Sequence, residues 1–415
     1  MGTIRVTPAG PSEANPAPVR HRKVFYIPGF DPAPPRRYRE LYRKEAKAQA
    51  AISGYAIEVG GRNSGPGFGW QVTAIIGGHE VRTEFEVLVW SDIVRGSMDP
   101  GIVATYLQLV RTAWIYIASG TLFRLMRLRK GPVIAALYPI VALLLQLLAA
   151  GLAAYSVAKA IGWGSSSMLL AGIGVVLGLI AGGMILRGFR AWDHRLFAYY
   201  LMHDYAFSAQ LWGAYPAVLE ARLTLFRGAI KTALQDGYDE VLIVGHSSGA
   251  HLAVSVLADI LRGGSFSTPL GLLSLGQVVP MVSFLPQAQR LRDDLHFLSL
   301  QPGLTWVDVT APGDGCSFAL CDPVAVSGVA APGKRWPLVI SAAFTQTLSP
   351  ARWTALRWRF FRLHFQYLCA FDRPGIYDYF AITAGPQTLG ARYAGCAPSK
   401  SRIETPASAY TSRIT

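Results

Sequence analysis

Two stretches, 131–158 and 161–186, contain no charged residue, and only Lys159 and Ala160 stand between them. Few folds can accommodate such a pair. About 20 consecutive apolar residues suffice for a helix to cross the hydrocarbon layer of a bilayer, and each run exceeds that length. Lipid offers no partner for backbone N–H and C=O groups, so a run of this kind must satisfy them internally, as a helix does. Two membrane spans are therefore expected, at about 132–157 and 164–186, joined as a hairpin. The overall composition agrees, with 51% hydrophobic and only 15% charged residues in a chain of 415.

The flanks suggest an orientation. Arg124, Arg127, Arg129 and Lys130 precede the first run, and Arg187, Arg190 and Arg195 follow the second. Basic flanks on both outer ends assign them to the cytoplasm and the short 159–167 link to the opposite side. The hairpin is then an insertion into a cytoplasmic domain, and both termini are expected in the cytoplasm. The net charge of +14 points to anionic lipid head groups rather than nucleic acid, because no nucleic-acid-binding signature accompanies it. Residues 102–123 are apolar and aromatic but carry Arg111 near their middle, which favours an interfacial or lid helix over a third span. Residues 197–212 read as its counterpart on the return side. Trp114, Tyr116, Tyr199 and Tyr200 are expected at the water–lipid boundary, where a ring is buried while its polar edge stays wet.

Outside the insertion the chain alternates strands and helices. Strand composition occurs at 23–27, 55–59, 70–76, 84–90, 241–244, 270–279, 305–310 and 337–344. Helical patterns run over 36–51, 214–234, 250–262 and 287–297. The expected class is α/β, with a mostly parallel sheet covered by helices on both faces. Residues 21–100 form its first part and 213–396 its second, around an insertion at 101–212. Residues 1–20 and 397–415 lack periodicity and are expected to be disordered. The glycine-rich 65–69 stretch lacks the lysine of a phosphate loop and reads as a hairpin connection. No apolar leader opens the chain, so no cleavable secretory signal is expected. Cys316, Cys321, Cys369 and Cys396 show no metal-ligand spacing and read as free thiols, and neither metal nor cofactor is expected. Oligomeric state is left open.

The most informative stretch for chemistry is 240–262. Four apolar residues, Val241 to Val244, run into Gly245-His246-Ser247-Ser248-Gly249, and a helical pattern follows until Gly263-Gly264. Strand, sharp turn and helix are the context a nucleophilic serine needs. Flanking glycines allow the turn, and a helix start offers N–H groups to developing negative charge. Such a serine requires a base, and the base an orienting acid.

With the earlier strand at 23–27 and the turn Pro28-Gly29-Phe30, this stretch resembles the α/β-hydrolase family of serine esterases and lipases. The resemblance implies a nucleophile at Ser247, with an oxyanion hole from the N–H of Ser248 and one from Gly29 or Phe30. Pro28 stands where that family often has histidine. It also implies the chain order serine, acid, histidine. His251, His296 and His364 follow Ser247, and His364 comes after the final strand. Asp314, in the loop after the 305–310 strand, is the preferred acid, with Asp308 and Asp322 as alternatives. The resulting expectation is a membrane-anchored serine hydrolase cleaving an ester or thioester, drawn as a lipidic acyl substrate from the bilayer. The alternatives are an acyltransferase using the same residues and a non-catalytic scaffold that retains the fold.

Overall fold

The computed structural model describes residues 17–61, 67–163 and 166–414. It contains an eight-stranded sheet. The strands are β1 (His21–Ile27), β2 (Ala56–Val59), β3 (Phe68–Ile76), β4 (His79–Val87), β5 (Glu240–His246), β6 (Leu270–Leu275), β7 (Leu304–Thr310) and β8 (Leu338–Ser341). Their spatial order is β2-β3-β4-β1-β5-β6-β7-β8, and only the β2–β3 and β3–β4 pairings are antiparallel. β1 lies between β4 and β5, in register from Arg22 opposite Glu240 to Ile27 opposite Gly245.

The helices up to β7 are α1 (Arg36–Ser53), α2 (Ser91–Met98), α3 (Ile102–Ala118), α4 (Thr121–Leu128), α5 (Lys130–Gly162), α6 (Met168–Ala191), α7 (Asp193–Leu196), α8 (Ala198–Ala209), α9 (Ala217–Ala233), α10 (Gly249–Arg262), α11 (Val279–Ser283) and α12 (Gln289–Leu300). Alternate residues along the central strands feed two separate cores. Phe25, Ile27, Val241 and Ile243 pack with α9, α10 and α12 on one face. Val24, Tyr26, Leu242 and Val244 pack with α1 and C-terminal residues such as Tyr367 and Phe380 on the other. Period-2 alternation with both faces apolar is what a doubly covered strand requires. The class is therefore α/β, as the strand–helix alternation implies.

Between β4 and α9 the chain leaves the sheet for seven helices, α2 to α8. Both α5, with 33 residues, and α6, with 24, are long and apolar enough to cross a membrane. Only 28% and 17% of their most apolar windows are buried, so most of their surface has no protein cover. The two pack at close range. A Cβ at Gly174, Gly178 or Gly182 would come within 2.8, 2.3 or 2.9 Å of the carbonyl oxygens of Ala158, Ala154 and Ala150. Small residues every fourth position let apolar helices approach backbone to backbone. At 1.5 Å per residue α5 is about 50 Å long, well beyond a hydrocarbon layer of about 30 Å. Its first turns pack within the protein instead.

Three expectations change. Residues 399–412 are held against the body rather than free: Ser399 N–H donates to Val339 O, Ile403 bridges to Cys321, and Arg292 Nε donates to Ser412 O at 2.7 Å. Backbone bonding without periodicity gives no sequence signal, which explains the misreading. Tyr116 and Tyr199 are buried, while Trp114 is exposed, so the four aromatics do not form one boundary belt. And α8 is a partly buried wall between α3 and the sheet domain, not an interfacial helix. The expected disorder of residues 1–16, part of the 65–69 turn and part of the 159–167 link lie outside the described residues.

Candidate active site

β5 ends at His246, and the chain reverses through Ser247 into α10. Ser247 has φ of 56°, in the left-handed region that a side-chain-bearing residue enters at a cost of about 1–3 kcal/mol. Its neighbours show why the turn needs glycine. A Cβ on Gly245 would lie 2.8 Å from Ala250 Cα, and one on Gly249 would lie 2.1 Å from Ile27 O. Strand β1 thus presses directly under the turn. The loop after β1 covers it from above, since a Cβ on Gly29 would be 2.9 Å from Ser247 Cβ and 3.3 Å from its Oγ. Among the described residues, no acceptor takes the N–H of Phe30 or of Ser248.

The other half of the site is fully built. His364 Nδ1 lies 2.8 Å from Asp314 Oδ2. The same Asp314 oxygen accepts the Tyr367 hydroxyl at 3.0 Å, and its Oδ1 accepts the Cys316 N–H at 2.9 Å. Burial would raise the Asp314 carboxyl, but the charge and hydrogen bond of His364 and the Cys316 N–H hold it below its usual value. From behind, His246 Nε2 meets His364 O at 3.0 Å, with the two rings 4.8 Å apart. Burial and the His364 charge lower His246 to about 3, so it stays neutral.

Ser247 N–H donates to Leu275 O, and His364 Cε1 lies 3.1 Å from where a Cβ on Gly276 would stand. Serine and histidine therefore flank the same two residues. No Ser247–His364 hydrogen bond is formed, and His364 Nε2 is buried without a partner among the described residues. Catalytic hydrogen bonds are often long in ligand-free structures and tighten with substrate.

The alternatives occupy structural positions. Asp308 accepts the Ser274 hydroxyl at 2.6 Å inside the sheet, and burial pushes it up to about 8. Asp322 caps the turn at Pro323 and pairs with Lys334. His251 bonds the Tyr215 hydroxyl at 2.9 Å through Nδ1, and His296 meets Val329 O. Of the residues expected from sequence, Ser247, Ser248, Gly29, Phe30, Asp314 and His364 converge on one end of the sheet.

Sequence reasoning missed what the insertion contributes. Tyr200 donates to Phe30 O, and Phe197 and Tyr200 make tilted and edge-on ring contacts with Phe361, three residues before His364. Arg129 Nε donates to Ala319 O at 2.8 Å, and a Cβ on Gly131 would be 3.3 Å from Gly315 Cα in the acid loop. All three site loops thus touch the base of the hairpin. Asp204 of α8 lines a pocket with Phe30 and Ser248 and senses the charge of His364; burial pushes it up to about 7. Its signal was a lone carboxylate within an aromatic stretch.

Cys316 Sγ, an Asp314 oxygen and a His364 nitrogen lie within 4.8 Å of one another, a donor set able to hold a metal ion. Burial, with Asp314 and Asp204 nearby, raises the Cys316 thiol well above its ordinary value, so a cation would have to displace its proton. The Asp314–His364 hydrogen bond would also have to open. Comparison of the chain with protein-family models, curated proteins and solved structures returned no match.

Proposed function

We propose that this protein is a membrane-anchored serine hydrolase, of the α/β-hydrolase kind, that cleaves an ester or thioester through an acyl-enzyme on Ser247. The observation that carries the reading is a serine at positive φ on a strand-to-helix turn, at the same sheet end as a 2.8 Å histidine–aspartate pair. Ser247 Oγ attacks the acyl carbonyl while His364 Nε2 takes its proton. Asp314 orients His364 and stabilises the imidazolium, without itself becoming protonated. The N–H groups of Ser248 and Phe30 hold the oxyanion. His364 then protonates the departing alcohol or thiol, and a water activated by the same ring releases the acid. An alcohol in place of that water would make the reaction an acyl transfer.

A fluorophosphonate probe tests this reading directly. It should label the wild-type protein and fail on Ser247→Ala; equal labelling of both removes Ser247 from the chemistry. Silence on both favours a non-catalytic scaffold, a reading to which the unformed Ser247–His364 bond lends some support. Loss of turnover on chelation, restored by zinc, would favour a metal held at Asp314, Cys316 and His364.

The basic flanks of the apolar helices support a cytoplasmic site. A cysteine at Ser166 should then react with an impermeant maleimide from outside the cell, above the background of the parent protein, whereas one at Ser401 should not. The opposite pattern sinks the orientation.

A further inference from the structure

Beside the serine pocket lies a second cavity of about 180 Å³, walled almost entirely by apolar side chains. Tyr116 and Ile117 of α3, Leu125 of α4, Ala136 of α5, Met202 and Tyr205 of α8 contribute, and Met281 and Phe318 close the far end. The Tyr116 hydroxyl is engaged, donating to Met281 O at 3.0 Å. A comparable engineered cavity of about 150 Å³ stays dry and takes benzene, so this one can hold about the last six carbons of an alkyl chain.

Its position decides what that chain belongs to. One side is made from the first turns of α5, a helix long and apolar enough to span a bilayer, and from Ile117, which is half exposed. The other side backs onto the candidate active site. α8 turns Asp204 and Phe207 toward the pocket that holds Phe30 and Ser248, and Met202 and Tyr205 toward this cavity. α11 divides in the same way, with Val282 facing the first and Met281 the second. Phe318 lies four residues past Asp314, and its N–H donates to Gln277 O. The Tyr205 hydroxyl sits near Asp204 and Cys316, and burial with those neighbours raises it well above its ordinary value. One helix-thick wall therefore separates lipid-side apolar space from the serine.

We infer that this cavity binds the end of one acyl chain of a bilayer lipid, and that the chain belongs to the ester cleaved at Ser247. The second clause rests on the hydrolase reading; the first does not. Chain-end burial in a fixed cavity holds the carbonyl by remote binding energy, which raises turnover of long chains over short ones.

The test uses the full-length Ser247→Ala protein in phosphatidylcholine vesicles containing a trace of phosphatidylcholine with a diazirine at the end of one acyl chain. After irradiation, adducts are expected on Met281 or Phe318, side chains that bulk lipid does not reach because they are buried behind the helices. Ala136→Phe, which fills the cavity, should reduce those adducts at least tenfold while adducts on the exposed Leu144 and Leu148 persist. Adducts confined to exposed faces of α5 and α6, or indifferent to filling, overturn the site. If Ala136→Phe does not insert, Ala113→Leu fills the same space from α3 and is read identically. With Ser247 intact, Ala136→Phe should lower the ratio of dodecanoyl to butyryl ester turnover at least tenfold. An unchanged ratio alongside lost adducts means that the bound lipid is not the substrate. Absent fluorophosphonate labelling in the wild type, with adducts present, would leave a lipid site on a protein that is not a serine hydrolase.

Discussion

The end of the sheet around Ser247 and the α5–α6 hairpin use the same device for different ends. In both, a missing Cβ lets backbones meet: Gly249 sits over Ile27 O, where a Cβ would lie 2.1 Å away, and Gly178 over Ala154 O, where it would lie 2.3 Å away. Around Ser247 that approach is fixed from several directions, by β1 beneath, the Gly29 loop above and the Leu275 carbonyl beside. In the hairpin Gly174, Gly178 and Gly182 each meet a single neighbouring helix, and most of the outer faces has no protein cover among the described residues. Geometry constrained by remote parts of one chain resists change locally and fails globally. Geometry constrained by one neighbour fails locally.

The largest contrast should appear in turnover. His364→Ala removes the proposed base and should cut kcat/KM by about 10⁴-fold or more, with membrane association unaltered. Retained turnover would show that the sheet end is no more catalytic than the hairpin.

Stability should separate the regions next. Gly249→Ala places a methyl inside contact distance of Ile27 O, a clash only backbone movement can relieve, and should cost more than about 3 kcal/mol in stability. Gly178→Ala makes a similar contact but can be relieved by separation of two helices, so about 1–2 kcal/mol is expected. Equal losses in thermal or detergent-titrated unfolding would erase the distinction.

A subtler probe is Asp204, which belongs to the insertion in sequence and to the site in space. Burial raises its folded pKa to about 7, above the ordinary 3.8. Its unfolded form therefore releases a proton at lower pH than the folded form does. The cost of burying it is absent below about pH 4, grows between 4 and 7, and is complete above 7. Asp204→Asn should match wild type near pH 4 and be more stable at pH 8, by on the order of 4 kcal/mol. A difference independent of pH would mean that Asp204 does not titrate in this window. The smallest effect is expected from Tyr367→Phe, which removes one of the groups holding Asp314. About a fivefold loss of kcat at unchanged KM follows from one lost hydrogen bond of about 1 kcal/mol. A loss confined to KM would place Tyr367 in binding instead.

The α/β class was legible because β5, β6 and β7 bury both faces and so read as short, mostly apolar stretches, interrupted by Ser274 in β6 and by Thr305, Asp308 and Thr310 in β7. That Ser247, Asp314 and His364 would lie at one end of the sheet was expected from the strand–turn–helix context and from the chain order that the hydrolase resemblance implies. The strands of the antiparallel end were less so: Ala56–Val59, at the edge, and His79–Val87, between β3 and β1, carry charged or polar residues on an outward face, which blurs their limits. What could not be read was partnership at a distance. Nothing local distinguishes Tyr200, which reaches Phe30 O, from Trp114, which faces outward. Both are aromatic residues in apolar helices, and only the tertiary arrangement divides them. The packed C-terminal segment escaped for a related reason, since its backbone bonds go to Val339 and Leu320 rather than along a periodic element.

The place of β1 in the sheet also sets an order in time. Its two neighbours, β4 and β5, are separated in the chain by the whole helical insertion, yet β1 must lie between them for Gly249 to seat on Ile27. During synthesis β1 and β4 emerge first and the apolar helices next. The edge of β1 that β5 will occupy stays vacant until residue 246 has left the ribosome. Pairing across such a sequence distance closes late and slowly. On the proposed reading, in which the two apolar helices enter the bilayer as they emerge, the chain is already at the membrane before the strand-to-helix turn that holds Ser247 can form.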